Sequence, residues 1–494
     1  MKVSAESSVA VPDGPAQRWS DDDAAAVSRQ LDDLLPDPAL FRVEGPARLP
    51  GQRAPWRLSP EPFWLSPELV ETLEGLGADL LAFYQACNRL YQASVRGRVP
   101  AWVAEYLDAG RPDQVVLYGR MNRFRRHTPL VIRPDLFLTD QGLKATELDS
   151  VPGGMGFTAS LAQAYAALGY EPVGGARGMV ERFAAMAQSA ATTARDAPDD
   201  GILAIVVSEE SADYWPEMQW LATAVDDLGV PAVAVRPEEV VFTEAHLQAP
   251  YAGGLRPVSV VYRFFELFDL PNIPKYELIL YAAKKGRVAI TPPLKSYLEE
   301  KLLFALFHHP VLAHFWREQL GAEVQQRLEQ VIPETWVLDP APLPPAATIP
   351  GLRIADRPVQ SWDQLRGLTQ KWRQLVLKPS GFDPLAWGSR GVSVGHDMAA
   401  EDWEAAVDTA LARFPRTRYV LQHFYRMERS PVPYFDFARN QLRLLRGRAR
   451  LNPYYLVVGD QAHLAGVLVT VCPPDKKVIH GMVDAVMSPG AVGR

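Results

Sequence analysis

The stretch from Val131 to Gly156, VIRPDLFLTDQGLKATELDSVPGGMG, constrains the fold more than any other part of the chain. An apolar run carrying Arg133 and Asp135 meets a turn at Thr139-Asp140-Gln141-Gly142, and a second run carries Glu147 and Asp149 into Pro152-Gly153-Gly154. That pattern predicts a β-hairpin. Residues two apart on a strand share a face, so Glu147 projects with Asp149, and Arg133 with Asp135. Three carboxylates and one guanidinium on one face repel and desolvate badly unless a counter-ion joins them. A hard cation with oxygen ligands, bridging to phosphate clamped by the arginine, resolves the conflict. A solvated face with a single Arg–Asp pair is the other way to satisfy it.

At 494 residues the chain exceeds one ordinary core, and two to four packed units are expected. A formal charge of -7 argues against a nucleic acid as the main partner. Cys87 and Cys472 sit in no metal-ligand spacing and read as core thiols of a reducing compartment. No apolar segment resembles a secretory signal or a bilayer span, so a cytoplasmic protein without membrane partners is expected.

The expected organisation has four parts. Residues 1–55 form a loosely held arm with one amphipathic segment, Asp21 to Leu35. Residues 56–200 hold a helical segment plus the acidic hairpin. Leu69, Leu73, Leu76, Leu80, Phe83 and Leu90 recur at helical spacing after a Ser66-Pro67 start. Gln114 to Tyr118 reads as a strand, and Thr158 to Leu168 and Val180 to Arg195 as helices. Residues 201–290 read as a small α/β unit: Ile202 to Val207 is the all-apolar run of a parallel strand buried on both faces, followed by alternating helices and strands. No GxGxxG follows that first strand. The strand end at Ser208-Glu209-Glu210-Ser211 is where such sheets meet ligands, although a loop with ordinary surface charges is the simpler reading.

Residues 291–494 open with helices expected at Glu299 to Leu312, around Lys301, and at Phe315 to Gln330. The Pro-rich stretch 340–350 reads as a linker. Then comes LVLKPSGFDPLAWGSRGVSV, Leu375 to Val394. A strand delivers Lys378, and a loop with Gly381, Gly388, Ser389, Arg390 and Gly391 returns as a second strand. Glycines allow the backbone close to phosphate, and a strand lysine adds a point charge; an ordinary turn is the alternative. Tyr419 to Phe424, with Gln422, reads as a strand, and the runs Leu451–Val458 and Gly466–Thr470 as paired strands completing the Lys378 unit. His396 and His423 flank loop and strand as structural hydrogen-bond partners. Lys476, Lys477 and His480 are basic residues near the end of the chain, read mainly as solvated.

Together the acidic hairpin and the Lys378 loop resemble the ATP-grasp ligases. Their order, acids first and lysine later, resembles the circularly permuted branch that contains glutathionylspermidine synthase. Those synthetases carry R-x-D on one strand and E-x-N on the next. This chain has Arg133-x-Asp135 and Glu147-x-Asp149, with Asp149 replacing the Asn. The resemblance implies an α/β, circularly permuted ATP-grasp fold, with residues 201–290 as a Rossmann-like accompanying domain, in which Tyr262, Arg263 and Glu266 lie at a strand end within reach of substrate, an internal Arg–Glu pair being the simpler reading. It implies Asp135, Glu147 and Asp149 as Mg²⁺ ligands, Arg133 on the γ-phosphate and Lys378 on the α- and β-phosphates. Gly388 to Gly391, with Ser389 and Arg390, would form a lid over the nucleotide. Lys301 would be a further ATP-contacting lysine and Gln422 a neighbour of the adenine. The implied activity is ATP- and Mg²⁺-dependent joining of a carboxylate to an amine (amino acid, peptide or polyamine-like) through an acyl phosphate. An ATP-grasp kinase and a non-catalytic nucleotide-binding scaffold are the alternatives. No paired Cys and His suggest an N-terminal amidase.

Overall fold

The structure is a computed structural model that describes residues 19–36, 40, 56–386, 390–476 and 484–493. Its largest element is an eight-stranded sheet. From one edge it runs Arg57–Leu58, Val486–Val492, Gln461–Cys472, Gln441–Val458, Val131–Thr139 and Gly142–Asp149. Arg429–Asp436 is added beside Gln441–Val458, and Phe63–Leu65 beside Val486–Val492. The acidic hairpin is therefore one edge of this sheet, with its turn at the expected residues. One face is covered by the helix Pro67–Val95, whose Leu73, Leu80, Phe83 and Leu90 are fully buried with Leu451 and Tyr455 from the sheet. Ser66 caps that helix by accepting from the Leu69 N–H at 3.2 Å, and Pro67 fills the first helical position. Gly77 lets the helix approach: a Cβ there would lie 2.6 Å from the Tyr455 ring.

The other face packs on the helices Met155–Ala167 and Gly178–Ala191 and, through them, on a six-stranded sheet. There Ala232–Val235, Ile202–Val207, Gly254–Phe264 and Ala289–Thr291 run parallel, as the alternation of apolar runs predicts. Leu203, Ile205 and Val207 enter one core while Ile202, Ala204 and Val206 enter the core on the opposite face. A third, four-stranded antiparallel sheet orders Thr335–Val337, Tyr419–His423, Leu375–Pro379 and Ser393–Val394, backed by the helix Ala400–Arg413. The helix Asp21–Leu34 docks on the Arg429–Asp436 hairpin through Ala24, Ala25 and Phe435; the rest of the expected arm lies largely outside the described residues.

Several expectations are corrected. Gln114 to Tyr118 lies in a helix, Asp113–Gly119: Pro112 and Asp113 make a helix start, and the buried residues, Val115 and Gly119, are four apart, leaving Leu117 exposed. The helix expected over Glu299 to Leu312 shrinks to Leu302–Phe307: a separate turn, Ser296–Leu298, precedes it, Pro310 follows its end, and Lys301 stands just before its first residue. Gly321, at φ 76°, splits the next helix into Ala313–Leu320 and Ala322–Val331. The paired strands Gln441–Val458 and Gln461–Cys472 join the acidic hairpin's sheet and not the Lys378 sheet. Leu451 sits opposite Leu136, and Tyr455 opposite Ile132, burying the apolar face that the hairpin alone would expose.

Candidate active site

The hairpin register sets Arg133 opposite Asp149, with an irregularity between Pro134 and Leu136 that turns Asp135 inward. Arg133 reaches both Asp135 and Asp149 at 3.0 Å and donates to the Gly153 carbonyl at 3.2 Å. Asp135 also receives Arg450 at 3.2 Å and the Asn452 amide at 2.7 Å, both from the adjoining strand. Asp149 accepts the Val151 N–H at 2.9 Å. Burial raises the Asp149 carboxyl, although Arg133 opposes the shift.

Two residues before Asp149 on the same strand, Glu147 points toward the four-stranded sheet. It forms an ion pair with Lys301 at 3.0 Å. Burial would raise its carboxyl, but Lys301, Lys378 and Arg133 together outweigh that and hold it at about 2. Lys378, 6 % exposed on its strand, donates to the Thr146 carbonyl and to Gln422 Oε1, each at 2.9 Å. Burial pushes this ammonium down to about 8, and among the described residues no carboxylate is bonded to it. Lys301 also donates to the Ala386 carbonyl of the glycine-rich loop at 3.1 Å. Thus Glu147, Lys301, Lys378 and Gln422, spread over 276 positions, line one cleft together with Tyr84, Thr146 and Glu299.

The loop after Lys378 is anchored at its root. Glu300 accepts from Ser380 Oγ and from the Gly381 N–H at 3.0 Å, and pairs with the buried Arg111. A Cβ on Gly381 would collide with the Glu299 carbonyl. Gly391 packs against Pro379, and its N–H donates to the Leu385 carbonyl at 2.9 Å. Arg390 is not brought to the cleft: it turns to Glu210 at 3.5 Å. Gly388 and Ser389 lie outside the described residues, as do Lys477 and His480. Arg263 pairs with Glu299 across the cleft wall, and the pairing expected within its own strand end, to Glu266, is not formed.

Sequence reasoning missed three supports. Arg450 and Asn452 alternate on one strand facing Asp135, an R-x-N signal that was available. Arg111 and Glu300 carried none. Glu217, fully buried on the helix Trp215–Asp226, accepts the N–H groups of Gly154 at 3.2 Å and Gly156 at 2.8 Å and so caps the helix that follows the hairpin. Burial lifts its carboxyl to about 7.

Among the described residues no three metal-ligating side chains converge on a point. Asp135, Glu147 and Asp149 are oxygen donors of the kind a hard cation takes, and each is paired with a protein cation, Arg133, Arg450 or Lys301.

No family model matches the sequence, and no curated protein does. A solved glutathione synthetase-like effector from Globodera pallida superposes over 95 % of this chain and 96 % of its own, with a TM-score of 0.53 at 12 % identity. The chain has that fold. A protein assigned as a gamma-glutamylcysteine synthetase, from Methylobacillus flagellatus, aligns over 73 % of this chain and 79 % of its own at a TM-score of 0.36 and 12 % identity, too loosely to bear on the fold. No helix of the described residues is long and apolar enough to cross a membrane.

Proposed function

We propose that the chain is an ATP- and Mg²⁺-dependent carboxylate–amine ligase with a circularly permuted ATP-grasp arrangement. On this reading residues 56–200 and 291–494 supply the nucleotide module and residues 201–290 accompany it. The observation that carries the proposal is the meeting of Glu147, Lys301, Lys378 and Gln422 in one cleft, from segments far apart in the chain. Likeness in fold to a glutathione synthetase-like protein supports it.

Lys378 is buried with no carboxylate partner among the described residues, the state expected of a cation awaiting phosphate. Lys301 stands on the other side of the cleft and ties the glycine-rich loop to it. Glu147 and Asp149 would hold Mg²⁺, with Asp135 available only where Arg450 or Asn452 releases it; the bound metal would offset phosphate charge. Arg133, held by two carboxylates and the Gly153 carbonyl, would steady charge on the transferring phosphoryl oxygens. A substrate carboxylate oxygen attacks the γ-phosphorus and ADP leaves. The amine, as its neutral form, then attacks the acyl carbon through nitrogen, a C–N bond forms, phosphate departs with the C–O bonding pair, and the nitrogen gives up its extra proton to solvent or the departing phosphate. A closed loop protects the acyl phosphate from water.

The test is ADP release across a panel of amino acids, peptides and polyamines, with mass analysis of products. Release that needs both a carboxylate and an amine supports ligation. Release with one hydroxylic or carboxylic acceptor and a phosphorylated product would make the protein a kinase.

A further inference from the structure

The helix Pro67–Val95 carries a polar stripe within its apolar surroundings. Tyr84, Asn88 and Tyr91 stand four and three positions apart, so they share one side of the helix, and all three are buried. That side packs on residues 295–301, the segment that ends at Lys301 in the cleft. Asn88 Oδ1 accepts from Lys295 Nζ and from the Tyr297 hydroxyl, each at 2.8 Å, and the Tyr91 and Tyr297 rings stack 3.8 Å apart. Tyr84, one turn earlier on the helix, lines the cleft with Leu298, Glu299 and Lys301.

Its hydroxyl is the exception in the stripe. The Tyr91 hydroxyl donates to Asp108 at 2.6 Å, and the Asn88 amide donates to the Arg125 carbonyl at 2.9 Å. Elsewhere the fully buried Tyr454 and Tyr455 donate to the Gly153 and Leu73 carbonyls at 2.7 and 2.6 Å. The Tyr84 oxygen is shut off from solvent and has no hydrogen-bond partner among the described residues. A buried hydroxyl left unpaired is destabilising, and a phenyl ring, such as that of Phe83 beside it, would fill the space without that cost. The carboxylates lining the cleft are engaged elsewhere, Glu147 with Lys301 and Glu299 with Arg263. Burial pushes the phenol well above its ordinary range, so the oxygen keeps its proton and has it to donate.

We propose that Tyr84 is a further ligand-contacting residue of the cleft, its hydroxyl donating to an oxygen of the bound phosphate. This rests on the ligase reading and adds to it a residue from outside both the hairpin and the Lys378 loop. An oxyanion is the ligand such a donor takes here, because Lys378, lining the same cleft, has no carboxylate partner among the described residues. The donors then differ in kind. Lys378 and Lys301 meet a phosphate as point charges on flexible stems, whereas a phenol held in a packed helix gives one directed bond and adds no charge.

The experiment compares wild type with Tyr84→Phe, both as the full chain, in thermal melts and in calorimetric titration with a non-hydrolysable ATP analogue and Mg²⁺. Tyr84→Phe melts at or above the wild-type temperature, since it removes an unpaired buried hydroxyl, and binds the analogue roughly ten-fold more weakly, the loss of one hydrogen bond to a charged oxygen. Unchanged affinity for the analogue overturns the proposal, because something other than phosphate then completes the hydroxyl. A variant that fails to fold, or melts well below wild type, overturns it as well, because the hydroxyl is then a structural bond. If wild type itself does not bind the analogue, the ligase reading fails, and inorganic phosphate titrated into both proteins tests the hydroxyl separately. Weaker phosphate binding by Tyr84→Phe upholds the contact; equal binding, or none to wild type, removes it.

Discussion

Lys378 offers the sharpest test, because a lysine kept for phosphate and a lysine kept for stability respond oppositely to removal. Held at about 8 in the fold against 10.5 in the unfolded chain, its charged form is disfavoured inside the protein by about 3 kcal/mol. The sign follows from proton counting. Below about 8 both states hold the proton and the full burden applies; between about 8 and 10.5 only the unfolded chain holds it, so stability rises with pH there. Lys378→Met removes the burden at neutral pH but orphans the Thr146 carbonyl and Gln422 Oε1, setting back about 1 kcal/mol each. The expected net is a ligand-free protein more stable by about 1 kcal/mol, with Mg-ATP affinity lower by roughly thirty-fold or more. In wild type, affinity should be flat below about pH 8 and then fall by up to about tenfold per pH unit as Lys378 loses its proton. In the variant it should be flat throughout. Thermal melts with and without Mg-ATP, and calorimetry across pH, measure both. A variant that melts well below wild type while binding ATP normally refutes the reasoning.

Three further outcomes are expected. Asp149→Ala should abolish Mg-ATP turnover, read as ADP release, and leave the melting profile cooperative, since it removes a burial-strained carboxylate at the mouth of the hairpin. Arg111→Met should destabilise by about 3–5 kcal/mol in denaturant unfolding, because it leaves Glu300 charged, buried and unpaired. Gly381→Ala should shift the loop root away from Glu300 and lower both melting temperature and ATP affinity, as its Cβ has only the Glu299 backbone carbonyl to displace.

What the sequence made legible was local or periodic. The hairpin at Val131–Asp149 announced itself through a turn and two alternating runs, the helix at Pro67 through its cap and spacing, and Ile202–Val207 through an unbroken apolar run. What stayed hidden was decided by partners. Val115 to Leu117 has strand-like residues, yet a Pro-Asp start and burial of one side made a helix. The strands after Leu451 read as sheet, but which sheet depended on apolar pairing with Ile132 and Leu136, which no local pattern records. Lys301 read as part of a helix, and only the fold sets it just before the helix Leu302–Phe307 and pairs it with Glu147. Glu217 looks like any helical acid, and only the third dimension gives it the backbone N–H groups of Gly154 and Gly156.

Glu147 poses a final question of allocation. Its carboxylate lies in an ion pair with Lys301, and the field of both lysines is what holds it at about 2, so at any physiological pH it is charged and engaged. A carboxylate serving Lys301 that closely cannot also offer all its lone pairs to a metal, and a lysine serving Glu147 is not free for phosphate. Nucleotide without metal therefore meets a cleft where, among the described residues, Lys378 has no carboxylate partner and Glu147 repels the phosphates. Glu147→Gln keeps the shape, removes the negative charge and releases Lys301. It should bind ATP in EDTA more tightly than wild type, by roughly tenfold for one like charge removed at the site, while losing the gain in affinity that Mg²⁺ gives wild type and losing turnover. Calorimetry with EDTA and with Mg²⁺ separates these effects. Unchanged metal-free affinity would mean that Lys301 does not face the phosphates, and the pairing seen here would then be a structural bond.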